Sequence, residues 1–217
     1  MTRLNRISLA LGLVAGCLSP LALAANAGTF YLGGAVGSAM SDYSSSKCSS
    51  DASNDIGFAA YCSVDASDTG FKLLGGYNIT PNVAVEGAWA DLGQLKATVT
   101  VPGFAPGTFE QKTSAFSLDV VGNADVGNGL TLSGKLGVYA AEQTGSDSYG
   151  DSNTDQSSSG LNIGVRAAYA FAPMLSGRLE YERYSDVGKT DFHDDDSGAP
   201  TFKSNIDLFS VGLIYNF

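Results

Sequence analysis

Ser210-Val211-Gly212-Leu213-Ile214-Tyr215-Asn216-Phe217 closes the chain. Counting back from Phe217, the residues Phe217, Tyr215, Leu213, Val211 and Phe209 share one parity. Asn216, Ile214, Gly212, Ser210 and Leu208 share the other. This is the two-residue period of a strand with one strongly apolar face. A soluble domain rarely ends on an aromatic residue inside a strand, because no polar tail covers the last edge. That edge must close against another strand.

Seven further stretches carry the same period, near 28–39, 70–79, 83–92, 114–124, 130–141, 160–171 and 175–185, before a closing strand at 205–217. The eight strands are joined by connections that alternate long and short. The short ones are Thr80-Pro81-Asn82, Val126 to Gly129 with its Asn128-Gly129 dipeptide, and Ala172-Pro173-Met174. The four long ones are rich in Ser, Asp and Gly. An up-and-down closed barrel in an outer membrane predicts this asymmetry, with short inner turns and long external loops. A Greek-key sandwich does not.

Parity also separates two faces. One carries Phe30, Leu32, Val36, Phe71, Leu73, Tyr77, Trp89, Phe116, Leu118, Leu132, Leu136, Leu161, Ile163, Val165, Tyr169, Leu179 and Tyr181. The other mixes small residues (Gly33, Ala35, Ala84, Ala88, Gly164, Ala168) with Lys72, Glu86, Asp119, Lys135, Arg166, Arg178, Glu180 and Glu182. Small side chains beside charges suit the cramped interior of a narrow barrel. The apolar face then meets lipid, with Trp89, Tyr77, Tyr169, Tyr181 and Tyr215 as interfacial aromatics.

Residues 1–27 read as a secretory signal: Arg3 and Arg6 lead an apolar run from Ile7 to Ala24, with cleavage expected after Ala24 or Ala27. Val14-Ala15-Gly16-Cys17 also reads as a lipoprotein box, ranked below ordinary cleavage because the apolar run continues past Cys17. No later stretch approaches the roughly 18–20 apolar residues of a spanning helix. Loss of Arg3 and Arg6 takes the formal charge from −10 to −12, which leaves no basic patch for nucleic acid. With 27 glycines and only six prolines in the whole chain, residues 28–217 suit one all-β domain, with neither a linker nor a second domain.

The closing segment resembles the C-terminal insertion signal of bacterial outer-membrane β-barrels, with Ser210, Gly212, Tyr215 and Phe217 filling its positions. Phe71 to Gly93 resembles the second hairpin of the OmpA transmembrane domain and its single-domain porin-family relatives. Thr29 to Gly37 resembles their first strand, and Phe171-Ala172-Pro173 with Leu179-Glu180-Tyr181 their third turn and seventh strand. The resemblance implies an eight-stranded transmembrane barrel in contact with outer-membrane lipid and lipopolysaccharide. It also implies insertion by the barrel assembly machinery and a host or surface ligand at the loops. Because the chain ends at the eighth strand, peptidoglycan anchoring does not carry over.

Four inward cations (Lys72, Lys135, Arg166, Arg178) match four inward carboxylates (Glu86, Asp119, Glu180, Glu182). Buried unpaired, each is expensive, so the balance predicts interlocked salt bridges filling the lumen. A selective pore would show one sign in excess. Cys48 and Cys62 share the first long loop and, in an oxidising compartment, read as a disulfide worth about 3 kcal/mol.

Metal and catalytic patterns are weaker. Asp151-Ser152-Asn153-Thr154-Asp155 begins like a calcium loop, yet Gln156 and Asn162 stand where Gly and the bidentate Glu belong. Asp191, Asp194, Asp195 and Asp196 around His193 read as a solvated loop tip. The one histidine, His193, is followed by three aspartates before Ser197, so no Ser-His pair forms. The expectation is a non-enzymatic barrel without cofactor or metal that displays four polar loops for envelope structure, adhesion or host contact. The alternatives are a low-conductance porin and, after it, a lipid A-modifying enzyme.

Overall fold

The computed structural model describes residues 27–57, 59–147, 154–188 and 203–217. The signal segment with Cys17, the His193 cluster and most of the calcium-like run lie outside the described residues. Alternating polarity organises the rest as β1 (Thr29–Ser41), α1 (Ser45–Ile56), β2 (Tyr61–Asp65), β3 (Ser67–Thr80), β4 (Val83–Thr100) and β5 (Gly107–Gly127). These are followed by β6 (Leu130–Asp147), β7 (Thr154–Ala172), β8 (Leu175–Val187) and β9 (Ser204–Asn216).

Every pairing is antiparallel, in the order β4-β3-β1-β9-β8-β7-β6-β5, and β5 returns to β4 to close the ring. The ring therefore has eight positions although nine strands are counted among the described residues. The extra strand, β2, continues β3 past Ala66 and pairs with the outer part of β4, Tyr61 opposite Thr100 and Asp65 opposite Lys96. The two ends of the chain seal the barrel: β1 pairs β9 from Tyr31 opposite Asn216 to Ser41 opposite Ile206, and Phe217 N donates to Phe30 O at 2.9 Å. No edge of the ring is left for lipid to face, where unpaired backbone is prohibitive.

The short connections lie where turn chemistry puts them, at Pro81-Asn82, Asn128-Gly129 and Pro173-Met174. Asn128 (φ 55°) and Gly129 (φ 80°) are both left-handed, the two-residue turn whose twist matches that of paired strands.

Strand lengths depart from expectation. The stretches near 83–92, 114–124, 130–141 and 160–171 run on as β4, β5, β6 and β7, and the first long loop contains α1 and β2. Thr154 to Ser159, loop-like by composition, pairs with Ala140 to Gly145. Beyond the lipid the outward residues of these extensions are polar, and so are buried inward ones such as Gln111, Thr113 and Gln143, so the polarity alternation that reveals a strand in lipid disappears.

Within the lipid zone the alternation is sharp. Phe209, Val211, Leu213, Tyr215 and Phe217 are 45–62 % exposed, and the span from Phe209 to Phe217 matches the roughly 9–11 residues a tilted strand needs to cross hydrocarbon. Aromatic girdles bound this band. Phe30, Tyr77, Tyr169, Tyr215 and Phe217 mark the short-turn side, and Phe71, Trp89, Phe116, Tyr181 and Phe209 the other. Ring pairs reinforce both girdles, Phe30–Tyr77 at 4.7 Å and Phe71–Trp89 at 6.4 Å. Beyond the outer girdle the outward positions turn polar, at Thr69, Asp91, Ser114, Glu142, Ser159, Arg183 and Asp207.

Candidate functional site

An eight-stranded barrel is just wide enough for side chains to meet across it. Lys72 (β3), Glu86 (β4), Asp119 (β5), Lys135 (β6), Arg166 (β7) and Arg178, Glu180 and Glu182 (β8) all point inward and are buried. Register brings some together directly, Glu86 opposite Asp119 and Arg166 opposite Glu180. Small residues give the others room. A Cβ at Gly164 would lie 3.2 Å from both Lys135 Cε and Glu182 Cγ.

All eight groups are thereby joined in one network. Lys72 Nζ lies 2.7 Å from Glu182 Oε2, 3.2 Å from Glu180 Oε1 and 3.9 Å from Glu86 Oε1. Lys135 Nζ lies 3.3 Å from Asp119 Oδ2 and from Glu180 Oε1, and it also contacts Glu182. Arg166 Nη1 donates to Glu86 Oε2 at 2.8 Å, while Arg178 lies 3.7 Å from Glu86 and contacts Glu180. Removing an ion from water costs several kcal/mol, so only multiple short contacts make such a cluster tolerable.

Apolar layers lie on both sides of the charges. On the outer side Ala39, Leu92, Tyr139, Tyr184, Val187, Ile206 and Leu208 form one cluster. On the short-turn side Tyr31, Leu74, Ala84, Ala88, Val121 and Ile214 form another. Below the latter a cavity of about 280 Å³, lined by Thr29, Asn78, Asn123, Ser133 and Ser176, reaches inward as far as Arg166.

The inward tyrosines were not anticipated. Tyr31 donates to Glu86 Oε2 at 3.0 Å, Tyr184 to Glu182 Oε1 at 3.4 Å, and Tyr139 to Ser185 O at 2.7 Å. Their one sequence signal is parity: each shares the register of the small and charged positions, not of the oily ones.

The closing segment divides by face. Ser210 and Gly212 point into the lumen, where a Cβ at Gly212 would meet Gly34 O at 2.4 Å, and Tyr215 and Phe217 face outward.

Outside the membrane zone, Cys48 on α1 and Cys62 on β2 form a disulfide with Cα atoms 5.8 Å apart. Tyr43, Cys48, Leu95 and Ala97 pack around it, and Tyr43 Oη donates to Asp51 Oδ2 at 3.1 Å. Burial, then the adjacent Asp51 carboxylate, raises the Tyr43 phenol above its ordinary value. Lys96 Nζ and Glu110 Oε1, 2.8 Å apart on the exposed β4–β5 extension, form a surface pair of little energetic weight. Among the described residues no group of three or more His, Cys, Asp or Glu is placed to hold a metal ion.

Solved structures share this architecture. The outer membrane protein OprG of Pseudomonas aeruginosa aligns with a TM-score of 0.58 at 16 % identity, covering 88 % of this chain and 97 % of its own. The N-terminal β-barrel domain of Pseudomonas aeruginosa OprF (TM-score 0.51, 14 % identity) and Neisserial surface protein A (0.51, 16 %) each align over 87 % of this chain and 97 % of theirs. At these identities the likeness is one of fold. No curated protein matches the chain. Residues 8–217 match the model of the outer membrane protein beta-barrel domain, and the chain belongs to that family of outer-membrane proteins.

Proposed function

We propose that the protein is a closed, non-catalytic barrel whose work is done outside the membrane, where rigid strand extensions carry polar loops for envelope structure, adhesion or host contact. What supports this is the lumen: a charge-balanced network of buried, mutually paired side chains fills it, with a cluster of buried apolar residues on its outer side. Lipopolysaccharide around the outer girdle and a surface ligand at the loops are the partners this reading calls for. The Ser210, Gly212, Tyr215, Phe217 pattern supplies the handle for the barrel assembly machinery. The test is conductance in planar bilayers: purified, heat-modifiable barrel gives no channel events at any voltage, and steady unitary currents would overturn the reading. Loop deletions screened against host cells and lipopolysaccharide then locate the binding partner.

The runner-up is a low-conductance porin, favoured by the cavity that opens the short-turn end as far as Arg166. It requires currents that change when Arg166→Gln or Glu180→Gln removes one charge from the network. A lipid A-modifying activity would depend on His193; unaltered lipid A in overexpressing cells removes it.

A further inference from the structure

β2 ends the sheet order, paired to β4 on one side and covered by α1 on the other. The cover is chemically specific. Ser45, Ser49 and Ser53 recur every four residues, which puts them on one face of α1 about 6 Å apart. Ala60, Cys62 and Val64 recur every two residues, about 6.8 Å apart along a strand. Because the two spacings nearly match, each hydroxyl meets one amide. Val64 N donates to Ser45 Oγ at 3.0 Å, Cys62 N to Ser49 Oγ at 2.8 Å, and Ala60 N to Ser53 Oγ at 2.9 Å. Ser53 Oγ also reaches back to Ala60 O at 3.4 Å, and Ser49 Oγ donates to Ser45 O at 2.8 Å. Alternate residues of a strand direct their backbone groups to opposite edges, so these are the amides that face away from β4.

Hydroxyls thus occupy the positions that the carbonyls of a neighbouring strand would fill. The cover is weakly self-supporting, since its Ser-, Asp- and Asn-rich sequence is a poor helix former and the helix is only 12 residues long. What holds it is the Cys48–Cys62 disulfide, the Tyr43–Asp51 contact and the small cluster around them.

We infer that α1 masks a strand-docking edge, and that opening Cys48–Cys62 lets β2 accept an extended peptide from the aqueous exterior by main-chain hydrogen bonding. An external dithiol performs the opening. It gives two electrons and two protons to the Cys48–Cys62 bond, which becomes two thiols, and closes to its own disulfide. The partner is an extended segment rich in β-branched residues, of the kind β2 already pairs through Lys96–Thr100. The edge stands beyond the outer girdle, so the partner need not enter lipid.

The experiment uses the folded full-length barrel in nanodiscs, oxidised, reduced with a dithiol, and as Cys48→Ser/Cys62→Ser. Amide exchange is read at β2, and binding is read with a labelled peptide copying Lys96–Thr100 and with its Thr98→Pro version. Opening should speed exchange at Ala60, Cys62 and Val64 by roughly 100-fold while Tyr61, Ser63 and Asp65, bonded to β4, stay slow. Ser45→Ala/Ser49→Ala/Ser53→Ala should speed the same three amides. The peptide should bind the two opened forms and not the oxidised one, and the proline version should bind none. Unchanged exchange, equal acceleration along all of β2, no peptide binding to the opened forms, or equal binding of the proline version would each overturn the inference.

Discussion

Lys72 Nζ on β3 lies 2.7 Å from Glu182 Oε2 on β8, so two strands that are not neighbours in the ring are tied through its lumen. Backbone pairing joins each strand only to the next. Cross-lumen ion pairs add the long-range ties, and they resist ovalisation of the barrel in a way ladder bonds cannot.

Glu86 is the hub of that network, within 4 Å of Lys72, Lys135, Arg166 and Arg178 and hydrogen-bonded by Tyr31. Glu86→Gln leaves four buried cations facing three carboxylates and should destabilise the barrel by about 3–5 kcal/mol. Denaturant unfolding in lipid vesicles measures it. Adding Arg166→Gln should restore part of the loss, a coupling that independent sites would not show.

The lipid face makes the opposite demand. Val165→Arg introduces a charge among exposed aliphatic positions near mid-membrane and should cost about 2–4 kcal/mol. Ser159→Arg, one turn of the outward row beyond the outer girdle on the same strand, should cost about 1 kcal/mol or less. Equal penalties at the two positions in the same unfolding assay would mean that the membrane zone has been misplaced.

Gly137 lies under the Asp119 carboxylate, and a Cβ there would come within 2.3 Å of Leu118 O and 2.8 Å of Asp119 Cα. Backbone cannot yield as a flexible side chain does. Gly137→Val should therefore cost about 3 kcal/mol or more through overpacking, whereas Gly134→Val, at a position open to lipid, should be nearly neutral. Gel mobility before and after boiling reports the fraction folded.

Tyr43 makes the segment between β1 and β3 sensitive to alkali. Its folded pKa is raised above the ordinary tyrosine value of about 10, first by burial and then by Asp51. A raised folded pKa gives a contribution fully present below pH about 10 and lost as pH climbs through the folded value. Protease resistance of the 43–66 segment should thus hold from pH 7 to 10 and fall only above it. Tyr43→Phe should lower that resistance by about 1 kcal/mol from pH 7 to 10 and abolish the alkaline step.

Eight strand positions, the parity of the side chains within the lipid zone and the three short turns were legible in the order of residues. The reason is that lipid imposes a strict two-residue period on a strand inside it, and a tight turn admits few residue types. Leu132 and Lys135 declare their faces because hydrocarbon rejects one and welcomes the other. Where that solvent ends, the legibility ends. Thr154 to Ser159 looks like a loop because both its faces carry polar residues, and only pairing with Ala140 to Gly145 makes it a strand.

The tertiary structure decided which charges meet. Lys72 and Glu182 are 110 residues apart, and their contact depends on the stagger at which the ring closes, a quantity that no local pattern carries. It also decided that Tyr31, Tyr139 and Tyr184 fill the lumen, because a tyrosine suits either an interface or a packed core with a partner for its hydroxyl. The helix α1 likewise owes its place to contacts with β2, since its serines find amides to cap only once that strand edge is formed. Sequence determined the solvent each residue prefers; closure of the ring determined its neighbours.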